Sequence, residues 1–420
     1  MSESKESMEE ILQPGVQIRP IISPKEVSEI VQRLYGLRNI QIVELNAYDD
    51  KNYHIQVRVQ LELYLEKARI LMHKDEMQSV EVGWEKFKNS LVISAYEVSS
   101  EYNDTINPDG YVFKVMNSLD SQKHSFIEAQ NELLMYLDSN GFNCPKPVKN
   151  VDGLYYSVEK LPQNGDDSFT SDHVVRLLTY QPGSVFQQVL HSRELFFSAG
   201  QFVAKLDQAL KGFHHPAYES YSSLWELKSA PLLRKFIFAV REEERKQLVE
   251  EVLHSFEKNV LPSLETFEKG TCIVSTVKNI LVSSTGEDDP WQITAILDFG
   301  DTHISCYLFE LAITLCYMML LPCEGMDPLD VGAHVLAGYS TVRVVPVTEL
   351  QSLKTCICTR LCQSLVMGEY SHLQDPGNDY LLTTAKTGWG LLQTLWGTGQ
   401  DELEQRWRTI MATYQESIPS

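Results

Sequence analysis

At 420 residues and 43% hydrophobic content, the chain can fill more than one buried core, since a single core rarely grows past about 250–300 residues. Its 57 Asp and Glu against 36 Lys and Arg leave a net charge of -21. That surface repels nucleic-acid backbones and anionic membranes, so neither is expected as a partner. The longest apolar run, Leu311 to Leu321, ends at Pro322 and falls short of the roughly 20 residues that span a bilayer.

The first 22 residues are polar and acidic and read as a flexible N-terminus. They lack the basic-then-apolar start of a secretory signal. The eight cysteines, Cys144, Cys272, Cys306, Cys316, Cys323, Cys356, Cys358 and Cys362, show no paired metal-ligand spacing, and reduced thiols in a cytoplasmic protein are expected.

A first lobe is expected over residues 23–181. It opens with an amphipathic helix from Ser23 as N-cap, with Pro24 in the first turn. A β-hairpin follows, broken by the polar cluster Asp49 to Asn52. Residues 61–110 read as an insertion containing one helix and one strand. The strand "YVFKVMN" precedes the helix "HSFIEAQNELLMYLDSNG", which Gly141 stops. Two further strands end at the Pro-Gly turn of "LLTYQPG".

The second lobe, residues 182–420, is helix-rich. Helices are expected from Arg193 to Phe213, from Ala230 to Val260 and from Cys306 to Leu321, followed by two C-terminal helices, with one hairpin near residues 279–300. A small sheet-rich lobe followed by a larger helical one is an α+β, bilobal nucleotide-binding layout.

The strongest local signal is "ILDFGD", an apolar strand delivering Asp298 at its end. Phosphoryl transfer needs a carboxylate in such a place to hold Mg²⁺ against nucleotide phosphates. Asn279, 19 residues earlier, opens the strand "NILV", so a hairpin would bring its amide oxygen to Asp298. On the small-lobe strand, Lys114 is a candidate for gripping the α- and β-phosphates, with Glu128 to orient it. His214 and His215 read as a helix terminus, because adjacent residues do not share a helix face. No GxxxxGK[ST] or GxGxxG loop occurs.

Together "YVFKV", "VRLLTYQPG", "FVAKLDQALKGFHHP", "NILV", "ILDFGD", "FELAITLCYMM" and "TAKTGWGLL" resemble the aminoglycoside phosphotransferase family. The resemblance runs over most of residues 20–60 and 110–418, and is nearest to the members acting on 5-hydroxy-L-lysine. It implies a protein-kinase-like bilobal fold, that amino acid as small-molecule substrate, GTP as phosphate donor and Mg²⁺ as cofactor, in lysine breakdown. It also implies that the turn from Tyr48 to His54, with Asp50 and Asn52, covers the phosphates that Lys114 binds. Leu178 and Tyr180 would line the base pocket, Asn279 and Asp298 would hold Mg²⁺, and Asp301 would position substrate or a second ion.

One departure bears on catalysis. The family carries an HGD motif whose Asp, five residues before the metal-binding Asn, accepts the proton of the attacking hydroxyl. Here residues 272–274 read Cys-Ile-Val, so Val274 stands in that place, and nothing from Gly270 to Lys278 is a carboxylate or histidine. A slow or inactive enzyme is therefore expected, with a nucleotide-binding interaction protein on the same fold, or a splice or gene-model variant, as the alternatives. Oligomeric state leaves no trace in the sequence.

Overall fold

The computed structural model describes residues 18–47, 49–57, 106–163, 166–220, 223–286, 289–374, 376 and 384–415. Tyr48 and residues 61–105 of the expected insertion, with its helix and strand, lie outside them, as does most of the N-terminus. The chain divides into two compact units, one of residues 17–124 and 145–182, the other taking in residues 125–144 and 183–420. The expected α+β class is the class observed.

In the smaller unit, α1 (Pro24–Tyr35) begins at a capping box. The Ser23 hydroxyl accepts the Glu26 N–H at 3.3 Å, and the Glu26 carboxylate takes the Ser23 N–H at 2.7 Å. Gly36, at φ +68°, ends the helix. The sheet is antiparallel, in the order β1 (Ile40–Leu45), β2 (Lys51–Val57), β3 (Tyr111–Val115), β6 (Asp166–Thr179) and β4 (Pro147–Val148), and β5 (Ser157–Gln163) also pairs with β6. Val27, Val31 and Leu34 of α1 share one core with Ile55, Phe113, Val115, Val175 and Leu177 of the strands.

In the larger unit, α2 (His124–Ser139) precedes a three-stranded sheet in the order β10 (Gln292–Ile296), β9 (Ile280–Ser283), β7 (Ser184–Val185). A separate ladder joins β8 (Lys269–Cys272) to β11 (His303–Cys306). Its helices are α3 (Arg193–Leu210), α4 (Glu243–Asn259), α5 (Tyr307–Met319), α6 (Pro328–Ser340), α7 (Val347–Gln374), α8 (Ala385–Gly397) and α9 (Gln400–Gln415). A Cβ at Gly200 of α3 would lie 1.9 Å from the Val335 carbonyl oxygen of α6, and one at Gly338 of α6 1.9 Å from that of Phe197, so these two helices cross backbone to backbone.

Two expectations are corrected. The stretch from Ala230 to Val260 is not one helix but 3₁₀ turns over Leu227–Lys235 and Ile237–Ala239, then α4. Pro231 removes a donor from the first piece, and Val240 and Glu242 are extended. Where two C-terminal helices were expected, the described residues after Leu321 form four. No helix among the described residues is long and apolar enough to cross a membrane.

Candidate functional site

Two turns in the larger unit are bracketed by the same strand pairs. The chain leaves β8 at Cys272, passes through residues 273–279 and enters β9. It returns along β10, passes through residues 297–302 and enters β11, where His303 pairs in register with Cys272. Both turns are therefore held at each end by a common ladder.

The Leu297 N–H donates to the Asn279 carbonyl oxygen at 2.7 Å, which sets Asn279 beside the residue preceding Asp298. Asp298 is exposed and left-handed, at φ +57°, a conformation that Asp tolerates better than most residues. Its Oδ1 accepts the Gly300 N–H at 3.2 Å. Phe299 is buried, and Asp301 is half-buried with its carbonyl taking the Nδ1–H of His303 at 2.6 Å. Burial holds His303 neutral, with its pKa down at about 4. Burial also lowers Lys278, next to Asn279, to about 8.

Val274 occupies the other turn in a conformation foreign to its type. Its φ of +67° is a genuine outlier for a β-branched residue, a strain of about 1–3 kcal/mol that surrounding structure must hold. Glu310, in the first turn of α5, does so. Its two carboxylate oxygens accept the N–H groups of Val274 and Ser275, each at 2.7 Å. Glu310 is 1% exposed, and burial raises its pKa against the opposing pull of those bonds. Sequence reasoning took α5 for a plain buried helix and missed this residue. The signal was present, since Glu310 is the only charged residue between Cys306 and Leu321.

In the smaller unit, Lys114 sits 2.9 Å from the Asp50 carboxylate, across from Asn52 in the β2–β3 register. Asp50 also accepts the Asn117 N–H at 2.8 Å and its amide at 3.0 Å. Burial alone would raise the Asp50 pKa, but Lys114 and these donors hold it below its ordinary value. The expected base-pocket residues lie at the end of β6. Leu178 pairs with Val112, and Tyr180 stacks on His54 at 3.9 Å between ring centroids. His54, expected at the end of the phosphate-covering turn, lies instead within β2, and its stacking was not foreseen. Glu128 is exposed on α2, and His215 caps a short 3₁₀ turn by accepting the Ala217 N–H at 3.2 Å.

Among the described residues no three His, Cys, Asp or Glu side chains gather as a metal site. Asn279 and Asp298 are the residues that could hold Mg²⁺, an ion usually bound through one or two carboxylates with substrate phosphates and water completing its shell.

The model of the phosphotransferase enzyme family matches residues 99–343, more than half of the chain. Three curated hydroxylysine kinases are similar over nearly their whole length. That of Bos taurus is 31% identical over 95% of this chain and 96% of its own, that of Xenopus laevis 33% over 94% and 96%, and that of Mus musculus 31% over 97% and 98%. Among solved structures, an amicoumacin kinase in complex with AMP-PNP and Ca²⁺ superposes with a TM-score of 0.58 at 14% identity, covering 91% of this chain and 97% of its own. A microcompartment-associated aminopropanol kinase superposes at 0.53 and 14%, covering 88% and 97%. These two share the fold, which is the kinase-like one expected. On the family match and the near full-length similarity together, the chain belongs to the phosphotransferase enzyme family.

Proposed function

We propose that the protein transfers the γ-phosphoryl group of GTP to the side-chain hydroxyl of 5-hydroxy-L-lysine, in lysine degradation, and does so slowly. The observation that carries this reading is the 2.7 Å bond setting Asn279 beside the Asp298 turn. The names of the curated relatives supply the acceptor. Eight free cysteines support a cytoplasmic setting.

In this reading Lys114, paired with Asp50 at 2.9 Å, binds the α- and β-phosphates. Asp50 orients Lys114, and the turn carrying Asp50 and Asn52 covers the phosphates. Leu178 and Tyr180 border the base. Asn279 and Asp298 would hold Mg²⁺, which would supply positive charge against the phosphate oxygens. The acceptor oxygen forms a bond to the γ-phosphorus as the bond to the bridging oxygen of GDP breaks. The hydroxyl proton has no carboxylate at position 274 to receive it. Asp301, just past the metal pair, is the remaining acidic candidate. Loss of a positioned base typically lowers rate by 10²- to 10⁴-fold, which makes the reaction slow rather than impossible, because phosphoryl transfer rests mostly on positioning and charge.

Val274 also favours a second reading, in which the chain binds Mg-GTP without transferring phosphate. Mass-spectrometric detection of phosphohydroxylysine after incubation with Mg-GTP separates the two, with lysine as the acceptor lacking the hydroxyl. Product from hydroxylysine alone supports the kinase. Thermal stabilisation by Mg-GTP without product supports the binding protein.

A further inference from the structure

Arg360, on α7, is 3% exposed. A buried guanidinium is expensive unless an anion compensates it, yet no carboxylate of a described residue lies within ion-pair distance of it. Its hydrogen bonds all leave from one nitrogen. Nη1 donates to the Trp225 carbonyl at 2.9 Å and to the Gln363 amide oxygen at 3.3 Å. Nε is buried without a partner, and Nη2 donates to no described residue. Nε and Nη2 form the side-on edge with which arginine grips a carboxylate through two parallel bonds.

The guanidinium is also oriented. Its centre lies 5.2 Å from the Trp225 ring centroid and 5.5 Å from that of Tyr317. Gln363 donates to the carbonyls of Leu224 and Glu226 at 3.0 Å each, so two neighbouring side chains of α7 latch the same segment. In the same segment, Glu226 forms an ion pair with Lys228 at 3.1 Å. Arg360 is also within electrostatic reach of Glu310, which holds the Val274 turn, and of His303, which follows Asp301.

We propose that the side-on edge of Arg360 binds the carboxylate of an α-amino-acid acceptor, with Trp225 or Tyr317 swinging aside to admit it. Both rings are only half-buried. This inference rests on the reading that the acceptor is an amino acid.

Calorimetric titration of 5-hydroxy-L-lysine, L-lysine and the decarboxylated diamine of each tests it, on wild type and on Arg360→Met, with tryptophan fluorescence followed alongside. Both amino acids are expected to bind wild type about tenfold to a hundredfold more tightly than their diamines. Arg360→Met should erase that ratio while diamine binding persists, and Trp225→Phe should remove the fluorescence response. Equal binding of amino acid and diamine by wild type overturns the inference and leaves the kinase reading standing. So does a preference that survives in Arg360→Met. Absence of binding by any of the four ligands overturns the amino-acid acceptor reading and this inference together. The wild-type ratio needs no substitution and stands even where the variant fails to fold.

Discussion

The carboxylate of Glu310 holds the backbone of Val274 in a left-handed conformation through a 2.7 Å bond, matched by an equal one to Ser275. Glu310→Gln leaves one oxygen and turns an amide N–H against a backbone N–H. A buried donor then goes unsatisfied, at about 1–3 kcal/mol. A lower midpoint in urea with an unchanged m-value is the expected result, and an unchanged midpoint would contradict the holding role.

The conformation at position 274 suits Asp, Asn or Gly better than Val. Val274 is buried beside the Glu310 carboxylate, so Val274→Asp exchanges backbone strain for the cost of burying a second carboxylate and should lower stability, while under the kinase reading it should raise turnover by about 10²- to 10⁴-fold. Val274→Gly separates the two effects, since it relieves the backbone without supplying a proton acceptor. It should exceed the Asp variant in stability and match wild type in rate. Phosphohydroxylysine formed per unit time and the thermal midpoint, measured on all three, decide the matter.

If Asn279 and Asp298 hold Mg²⁺ for the nucleotide, stabilisation by GTP should require the metal. At a hundredfold excess over the dissociation constant, binding adds about 2.7 kcal/mol to stability. Chelation by EDTA, or Asp298→Ala, should remove most of the resulting rise in Tm. A GTP-dependent rise that survives both would remove these residues from the metal site.

These side chains were not equally legible in sequence. The hairpin from Asn279 to Asp298 could be read because a turn residue opens one apolar strand and "DFGD" closes the other, at a spacing two short strands fill. The β8–β11 ladder could not, since Lys269–Cys272 and His303–Cys306 pair across some 30 residues with no local pattern joining them. Lys114 was found on its strand, but that Asp50 would be its ion-pair partner depends on where a hairpin turn falls, which propensity does not determine. Arg360 was passed over because a single Arg in a long apolar helix shows neither its burial nor its missing counter-ion.

His303 predicts a pH dependence of stability. Its folded pKa of about 4 lies below the unfolded value near 6.5, so between these values the unfolded chain binds more protons. Stability should then rise with pH across that window. Its contribution is intact above pH about 6.5 and is lost as pH falls toward 4, a loss of roughly 3 kcal/mol. Denaturant titrations between pH 4 and 7 should show this slope, and His303→Gln should flatten it.

Of the eight free cysteines, seven are buried and Cys323 alone is partly exposed. A brief pulse of maleimide on the folded protein should therefore attach a single dye, at Cys323, whose sulfur lies 3.6 Å from the His191 carbonyl. The native sequence thus offers a one-site fluorescent reporter without cysteine engineering. Labelling at Cys316, Cys356, Cys358 or Cys362, which lie on α5 and α7 within the larger core, would time the opening of that core.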